Sequence, residues 1–385
     1  MAGMLEPRPV MGPTKLILVT HEFAPFRGGV ATYVAEIGAA IQRAGGTVEI
    51  WAPGYGLGNV EEESSCPVVR LRAGGSLKPG HLLQLTRALA SRREELERST
   101  VVLASVGAHI AFMMLVATGR APRGRIISVL YGSEVLRFGR NPAWRWLARR
   151  LFRQVGIIVT ISEFSKSLIG KSFLSSSAAK VAIAPCGCSS AAAQTVAAKG
   201  AQDGRLRIFT LARIHPRKGQ LDTARALGGL PEELRARIIY QLGGTGDADY
   251  LREVEQACRK AGVAFEHLGA IPPGALAVAY VQCDIFAMTS RQLPRSVEGF
   301  GIACLDAGWH GKPVIAYRSG GASEAVLDGE TGLLVEEGNL TALTTAFARL
   351  ISDAALRERL GAGGRKRAEP CGWDEAADLF LKFKV

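Results

Sequence analysis

The residues best suited to chemistry form two charged motifs in the second half of the chain. The first runs from Arg213 to Gly219 (RIHPRKG) after a predicted strand, where cations and helix-start amides suit a phosphate. The second runs from Glu298 to Asp306 (EGFGIACLD), with a carboxylate at each end of a Gly-x-Gly loop and helix. Glu298 could reach sugar hydroxyls, and Asp306 a ribose. Taken singly, the motifs could also be a solvated basic turn and a surface acid beside a capping glycine.

An alternation of short apolar strands and amphipathic helices positions these motifs. The first series of predicted strands is Lys15–Thr20, Val48–Ala52, Val101–Ala104, Arg125–Leu130 and Gly156–Ile161. The second series is Leu206–Leu211, Arg237–Leu242, Ala264–Leu268, Asp284–Met288, Pro313–Ala316 and Gly332–Val335. Such alternation is typical of parallel sheets with helices on both faces. It predicts an α/β fold of two doubly wound, Rossmann-like domains with a ligand cleft between the carboxyl ends of their strands.

The domain boundaries follow from breaks in this alternation. We predict a loose leader, a first domain, a linker poor in pattern, a second domain, and a final helical segment that crosses back. Their bounds are 1–13, 14–195, 196–204, 205–369 and 370–385.

Composition limits the class of protein and of partner. The 385 residues are 48% hydrophobic and 21% charged, which excludes disorder and allows two cores. The net charge of +12 comes from residues 1–200, which hold 24 Lys and Arg against 12 Asp and Glu. An anionic partner for the first half is therefore expected. Seven cysteines without a recognised secretion signal favour reduced thiols in the cytoplasm.

Two apolar or basic segments raise the question of a membrane. Val101–Gly119 has no formal charge over 19 residues, near the ~20 that span a bilayer, but a strand followed by a buried helix is the preferred interpretation. The second segment, 141–153, lies within a stretch, 120–153, that has nine arginines and a single acid. Its apolar residues share one helical face: Trp144, Leu147 and Leu151.

This basic helix has three interpretations. It suits an anionic bilayer surface or an anionic acceptor, and the protein would then be peripheral on the inner face of the plasma membrane. It could also be an ordinary domain helix with snorkelling arginines. Nucleic acid is not expected as a partner, because no known binding module accompanies the charge.

The motifs together resemble those of retaining glycosyltransferases of family 4, which have the two-domain GT-B fold. The resemblance runs from about Leu16 to Trp373. The motifs that carry it are Glu298-Gly-Phe-Gly301, His215-Pro-Arg-Lys-Gly-Gln220, Lys312-Pro-Val-Ile-Ala316, and Ser319-Gly-Gly321 with Glu324. Within that family, the chain resembles bacterial enzymes that mannosylate phosphatidylinositol lipids. The resemblance implies transfer of a hexose from a UDP- or GDP-sugar to a lipid-linked or envelope glycan acceptor, with retention and without a metal or other cofactor.

The resemblance also implies that the first domain binds the acceptor and the second domain the nucleotide-sugar, and it implies residue roles. Arg213 and Lys218 would grip the donor pyrophosphate, which Gly28 and Gly29 would approach from across the cleft, and Glu298 would bind the donor sugar. Further donor contacts are implied at Leu268, Gly269, Gly299, Phe300, Gly301 and Ile302. Asp306 stands where the family usually has Glu, so its ribose contact would be longer or water-mediated.

One position departs from the family pattern. Where relatives have His-Gly after the fourth strand, this chain has Tyr131-Gly132, followed by Ser133 and Glu134. A tyrosine is a poor base at neutral pH because its pKa is near ~10. We therefore predict that Tyr131 points into the cleft and positions a sugar or phosphate. His109 and Glu134 are alternative acceptor-side candidates, although a lone histidine in an apolar stretch more often belongs to a core.

Three competing interpretations remain at this stage. Asp247-Ala-Asp249 has the D-x-D pattern of metal sites in another glycosyltransferase fold, but acids at a helix start are better explained by the helix dipole. A nucleotide-sugar epimerase of the same architecture would need acids and a histidine suited to proton abstraction. A non-catalytic sugar-nucleotide binding protein would fit the loss of the histidine.

Overall fold

The sheet of the first domain is wholly parallel in the computed structural model. The structure describes residues 15–25, 28–55, 64–175, 177–189 and 204–383. Seven strands pair in the order β3-β2-β1-β4-β5-β6-β7. They are β1 (Leu16–Val19), β2 (Val48–Pro53), β3 (Val68–Leu71), β4 (Thr100–Leu103), β5 (Arg125–Leu130), β6 (Val155–Thr160) and β7 (Lys180–Ile183).

The second domain repeats the same winding with six parallel strands, ordered β10-β9-β8-β11-β12-β13. They are β8 (Leu206–Leu211), β9 (Ile238–Gly243), β10 (Ala264–Gly269), β11 (Ile285–Met288), β12 (Val314–Tyr317) and β13 (Gly332–Val335). The strand order reverses between β1 and β4 in one sheet and between β8 and β11 in the other. Open α/β sheets bind ligands outside the carboxyl ends of the strands at such reversals.

Helices cover both faces of each sheet. Those of the first domain are α1 (Gly29–Arg43), α2 (Pro79–Ala90), α3 (Arg93–Glu97), α4 (Val106–Ala117), α5 (Ser133–Gly139), α6 (Pro142–Phe152) and α7 (Glu163–Gly170). Those that follow are α8 (Gln220–Gly228), α9 (Glu232–Arg235), α10 (Ala248–Ala261), α11 (Pro273–Gln282), α12 (Ile302–Trp309), α13 (Ala322–Ala325), α14 (Leu340–Ser352), α15 (Ala354–Ala368) and α16 (Asp374–Lys382).

The uncharged stretch predicted as a strand and a buried helix is confirmed as β4 and α4. The Ser105 hydroxyl accepts a hydrogen bond from the Ala108 amide and so caps α4. This helix has 12 residues, and most of its side chains are buried. Among the described residues, no helix has both the length and the apolar character needed to cross a bilayer.

The end of the chain crosses back to the first domain, as predicted. Helix α16 packs against α1, and Arg43 pairs with Asp374 at 3.2 Å. The Trp373 indole donates a hydrogen bond of 2.7 Å to the carbonyl of Cys188. Trp373 also belongs to an apolar core that draws residues from both domains. The predicted leader and residues 196–203 of the predicted linker lie outside the described residues.

Candidate active site

The basic motif forms a tight turn at the carboxyl end of β8. A short 3-10 helix over Pro216–Lys218 follows Arg213 and leads into α8. Gly219 comes next with a φ of 69°, and a Cβ there would lie 1.9 Å from the carbonyl oxygen of Thr289. Only glycine fits this left-handed, crowded position. The turn therefore holds Lys218 against the end of the neighbouring strand β11.

The two charged motifs meet at Glu298. One carboxylate oxygen accepts hydrogen bonds from Lys218 Nζ at 2.6 Å and from Arg217 at 3.1 Å. The Ser290 hydroxyl donates to the same oxygen at 3.0 Å. All four side chains come from loops at the carboxyl edge of the second sheet. The structure therefore brings together the acid and the lysine that the sequence placed 80 residues apart.

The charge balance of this cluster keeps Glu298 ionised. Burial alone would raise the pKa of Glu298, but the charges and hydrogen bonds of Lys218 and Arg217 outweigh it and lower the pKa to about 2. Burial lowers the pKa of Lys218 below its usual value, and Glu298 opposes that shift. The cluster thus holds one anion and two cations in a mostly buried loop, where a phosphate would be strongly attracted.

The glycine loop of the first domain lies beside Glu22. Burial raises the pKa of Glu22, and the positive charge of Arg213 in the second domain opposes the rise. Gly28 packs on Glu22, since a Cβ at Gly28 would lie 2.1 Å from a Glu22 carboxylate oxygen. Gly29 begins α1, and nothing lies within 4 Å of its Cβ position. The glycine loop lies between β1 and α1 and Arg213 follows β8, so each comes after the carboxyl end of a strand of its own sheet.

The Gly-x-Gly loop touches the first domain directly. A Cβ at Gly299 would lie 2.6 Å from the carbonyl oxygen of Tyr131. The Gly299 carbonyl accepts a 2.7 Å hydrogen bond from the Ser162 hydroxyl, which also lies in the first domain. Gly301 has a φ of 99° and caps the start of α12. The loop thus forms part of the domain interface as well as of the second domain's ligand edge.

The other predicted donor contacts lie along the same region. Phe300 is buried and Ile302, the first residue of α12, is partly buried. Leu268 packs against the shared core at the end of β10, and Gly269 follows with a φ of 66°. The Gly269 carbonyl accepts a 2.7 Å hydrogen bond from the Gly244 amide. Leu268 and Gly269 are thereby fixed at the carboxyl edge of β10, and their contact with a base stays a prediction.

Asp306 is engaged by the first domain's last described residue. Its two carboxylate oxygens accept hydrogen bonds from the Ser189 amide at 2.8 Å and from the Ser189 hydroxyl at 2.9 Å. Burial raises the pKa of Asp306 to about 7, although these bonds oppose the shift. A ribose would have to share this carboxylate with Ser189, so the ribose contact stays a prediction.

Tyr131 is placed differently from the sequence-based expectation. Its hydroxyl donates a 3.0 Å hydrogen bond to the Ala104 carbonyl at the end of β4, and its ring packs edge-on against Tyr33. Burial raises the pKa of Tyr131 well above 10. Because the hydroxyl already donates to a backbone carbonyl, the prediction that it is directed to a ligand is wrong.

His109 and Glu134 are also held by the protein itself. His109 is fully buried, with Nδ1 bonded to the Ser105 carbonyl and Nε2 to the Ser128 hydroxyl. Glu134 accepts a hydrogen bond of 3.0 Å from the Tyr131 amide, and burial raises its pKa to about 7. His109 belongs to the core, so the structure does not support its predicted acceptor-side role, and Glu134 is buried against the start of α5.

Further contacts close the two domains over the Gly-x-Gly loop. Glu324 accepts hydrogen bonds from the amides of Glu163 at 2.9 Å and Phe164 at 2.7 Å, and so caps α7 of the other domain. The Ser133 hydroxyl accepts a 3.1 Å hydrogen bond from the Val297 amide. Glu324 was noticed only as part of a motif, and nothing in its sequence context indicated an interdomain role.

Sequence reasoning missed three other polar side chains near the cleft. Within the basic motif, the side chain that contacts Glu298 together with Lys218 is Arg217 and not Arg213. Ser290 was not considered, although it comes just after a predicted strand, which is the position of ligand-binding residues in such sheets. His21 follows β1 in the same way, directly before Glu22. For Ser290 and His21, the position just after a strand was the available signal, and for Arg217 it was the basic motif itself.

The D-x-D pair has the structural role expected of it. The Asp247 carboxylate accepts hydrogen bonds from the amides of Asp249 and Tyr250 and so caps α10. Asp249 pairs with Arg252 one turn later. Within the described part of the chain, no three His, Cys, Asp or Glu side chains cluster in a way that could hold a metal ion.

Two known sequence families divide the chain between them. Residues 28–187 match the glycosyl transferase 4-like domain, and residues 193–367 match glycosyl transferases group 1. The chain is 31% identical to a GDP-mannose-dependent alpha-(1-6)-phosphatidylinositol monomannoside mannosyltransferase of Mycolicibacterium smegmatis, over 91% of this chain and 92% of the relative. It is 33% identical to a D-inositol 3-phosphate glycosyltransferase of Xylanimonas cellulosilytica, over 46% of this chain and 42% of the relative.

A solved structure shows the same architecture. Sucrose-phosphate synthase from Thermosynechococcus elongatus superposes with a TM-score of 0.76, covering 95% of this chain and 97% of that one at 20% identity. The two sheets, the cleft and the crossing helix are thus a known two-domain arrangement. With the full-length sequence similarity, this shows that the chain belongs to the group 1 glycosyltransferases and has the GT-B fold.

Proposed function

We propose that the protein transfers mannose from GDP-mannose to a phosphoinositol-type lipid acceptor, with retention of the sugar's configuration. The observation that carries the proposal is the cluster of Glu298, Lys218 and Arg217 at the cleft. This cluster can hold a sugar hydroxyl and a pyrophosphate side by side. The choice of sugar and acceptor is supported by the similarity, over nearly the full length, to a mannosyltransferase of that description.

The proposed chemistry begins at the donor. The bond between the sugar C1 and the pyrophosphate oxygen breaks, and negative charge grows on the leaving nucleotide. Arg213, Lys218 and the amides of the Gly28-Gly29 loop would stabilise that charge, each contribution being about 10²–10³ in rate. Glu298 would orient the sugar through its hydroxyls while Lys218 and Arg217 keep the carboxylate ionised.

The acceptor hydroxyl would attack from the face that the nucleotide leaves. Its oxygen bonds to C1, and its proton passes to the departing phosphate oxygen, so no side-chain base is required. This scheme fits a chain in which Tyr131 is bound to a backbone carbonyl and His109 lies in the core. It also accounts for the absence of a histidine at position 131.

The direct test is a transfer assay with purified protein. We expect labelled mannose to pass from GDP-mannose to phosphatidylinositol-containing micelles, with little transfer from UDP-glucose and an α-linkage in the product by NMR. Transfer from UDP-glucose alone would overturn the choice of donor. Conversion of the free nucleotide-sugar into an epimer would instead support the epimerase, and tight nucleotide binding without transfer or hydrolysis would support a binding protein.

Tyr131 gives a test of the proton scheme. We expect Tyr131→Phe to lower the free energy of unfolding by about 1–2 kcal/mol, because the Ala104 carbonyl loses its buried partner, and to slow transfer less than ~10-fold. Tyr131→Ala should destabilise more, by about 3–5 kcal/mol, because it leaves a cavity. Thermal unfolding and transfer rates measure both effects. A loss of ~10⁴-fold in the Phe variant would mean that the hydroxyl takes part in the chemistry.

We also propose that transfer needs no metal ion, because cations of the chain face the phosphates. Activity in excess EDTA should then equal that of untreated protein within about twofold, since protein cations supply the electrostatic stabilisation. Assays with EDTA, and with added magnesium or manganese, measure this. Complete loss in EDTA with recovery in either metal would refute the metal-free scheme.

We propose that the protein binds the surface of an anionic membrane, the inner face of the plasma membrane, through helix α6. The predicted apolar face is not available, because Leu151 is buried and Trp144 and Leu147 pack on the domain core. The exposed side instead carries Trp146, which is 55% exposed, with the Arg150 guanidinium 4.8 Å from its ring centre. A tryptophan among arginines suits the headgroup layer.

Vesicle binding tests this surface. We expect the protein to co-sediment with vesicles rich in phosphatidylglycerol at low salt and to be released at high salt, since each basic residue adds about 1 kcal/mol. Replacing both Arg149 and Arg150 with Gln should weaken binding by about 10-fold or more. Exchange of two exposed arginines of the second domain, Arg252 and Arg259, is the matched control. Equal, weak sedimentation with neutral and anionic vesicles would show that α6 is only part of the fold.

A further inference from the structure

A three-residue segment that directly follows β11, Thr289–Arg291, is bonded to the basic turn. The Thr289 hydroxyl donates a 2.7 Å hydrogen bond to the carbonyl of Gly219. Two residues later, the Arg291 amide donates a 2.7 Å hydrogen bond to the carbonyl of Arg217. The segment therefore holds the backbone of the basic turn at two points.

The side chain of Arg291 adds a paired contact with α8. Its Nε and Nη2 donate to the two carboxylate oxygens of Asp222, at 2.5 Å and 2.8 Å. Asp222 lies in the first turn of α8, and the Tyr317 hydroxyl donates to it at 3.1 Å. Because the guanidinium and the carboxylate are both planar, two parallel hydrogen bonds fix their orientation as well as their distance. Arg291 is thus tied by its backbone and by its side chain to the segment that carries Lys218.

The same segment also reaches the acid of the site. The Ser290 hydroxyl donates to the Glu298 oxygen that accepts from Lys218 and Arg217. We call Glu298, Lys218 and Arg217 the donor cluster. The chain from Ser290 to Glu298 is a loop between β11 and α12. The position of Glu298 therefore depends on how the first residues of this loop are held.

The pair of Asp222 and Arg291 is better suited to positioning than to stability. The Asp222 side chain is 5% exposed and that of Arg291 39%. Taking a carboxylate out of water is costly, and the attraction within a buried ion pair often does no more than balance that cost. What a pair with two parallel hydrogen bonds supplies is a fixed direction between the segments that it joins. Here those segments are the two that carry the donor cluster.

We propose that Asp222 and Arg291 are positioning residues for the sugar donor. They hold the basic turn and the loop after β11 in the register in which Lys218 and Arg217 reach Glu298. That the donor cluster binds a nucleotide-sugar rests on the proposed function. When the pair is broken, the loop can shift relative to the turn, and the cations and the carboxylate no longer meet the donor in one fixed geometry.

A double-mutant cycle tests this role. We expect Arg291→Gln to lower the turnover of labelled GDP-mannose by about 10-fold or more, because small displacements of positioned groups are costly in rate. In protein that already carries Glu298→Gln, the same change should cost less than about twofold, since the group that Arg291 positions is already lost. A purely structural role would give equal losses in both backgrounds. Asp222→Asn should behave like Arg291→Gln, and the two together should cost no more than either alone.

A second arginine of the same domain is the matched control. Arg357 is half-buried and donates to the carbonyls of Leu350 and Ile351 at the end of α14. Arg357→Gln should lower the unfolding temperature but leave turnover within about twofold, measured where every variant is folded. Arg291→Lys keeps the charge and loses the planar fork, so it should remain about fivefold or more below the unaltered protein. Full turnover in Arg291→Lys would mean that charge, and not geometry, is what Arg291 supplies.

The outcomes separate this role from the proposed function. Equal losses in the two backgrounds, or turnover in Arg291→Gln as high as in Arg357→Gln, would overturn the positioning role. If Arg291→Gln does not fold, Asp222→Asn carries the same cycle. Turnover of UDP-glucose and not of GDP-mannose would overturn the proposed function, and the cycle would then be measured with UDP-glucose. Without any turnover, the affinities for GDP and UDP decide: Arg291→Gln should weaken nucleotide binding in the unaltered protein and not in Lys218→Met, and equal weakening in both would overturn the role.

Discussion

Replacing Glu298 with Gln is expected to lower transfer by about 10²-fold or more, with the protein still folded. Glutamine keeps the size of the side chain and can still accept from Ser290. It loses the negative charge that holds Lys218 and Arg217 through two hydrogen bonds. Lys218→Met should reduce transfer to a similar degree, because the leaving phosphate loses a fixed cation. Transfer rates at saturating donor, with circular dichroism as a folding check, measure the effect.

The ionised carboxylate of Glu298 should also make the free energy of unfolding depend on pH. The pKa of Glu298 is lowered to about 2, below the ~4.3 of an unfolded glutamate. Its contribution to stability is therefore present above pH ~4.3 and is lost only as the pH falls through about 2. Glu298→Gln should lack this part of the acid dependence, whereas Glu253→Gln on the exposed side of α10 should keep it. Near-normal transfer in both Glu298→Gln and Lys218→Met would refute the assignment of the donor site.

The fold was largely predictable because most strands are short, apolar and buried on both faces. Leu206–Leu211 and Gly332–Val335 were predicted with the bounds that β8 and β13 have. The edge strands β3 and β7 were missed, because their residues are mostly half-exposed and lack a continuous apolar run. The edge strands of the second sheet, β10 and β13, were predicted, so the edge position alone does not explain why β3 and β7 were missed.

The sequence could predict which site residues share one edge of the sheet, but not their contacts. Parallel strands place the residues that follow them at one edge, so the meeting of Lys218 and Glu298 could be anticipated. The direction of each side chain could not, because it depends on partners that are distant in the sequence. Tyr131 turns to Ala104, and Asp306 bonds to Ser189, which lies 117 residues earlier.

Gly299→Ala is expected to reduce transfer about 10²-fold while leaving GDP affinity within a few-fold of normal. The added methyl would lie 2.6 Å from the Tyr131 carbonyl oxygen and 2.9 Å from Ile161 Cδ1, and both belong to the first domain. Closest to the methyl is a backbone oxygen, which cannot rotate away as the end of a side chain can. The domains must separate slightly, which also lengthens the hydrogen bond from Ser162 to the Gly299 carbonyl.

The expected loss of transfer depends on contact between the domains, and a matched glycine variant isolates the effect of that contact. Gly274→Ala adds the same methyl to an exposed site near the start of α11, where nothing lies within 4 Å, and should leave transfer unchanged. Calorimetry with GDP and transfer rates at saturating acceptor separate donor binding from the step that needs both domains. If Gly299→Ala transfers as well as Gly274→Ala, close approach of the two domains is not required for catalysis. A methyl at the domain interface should slow the reaction without displacing the nucleotide. If Gly299→Ala instead loses GDP affinity in proportion to its transfer rate, Gly299 serves the donor site alone.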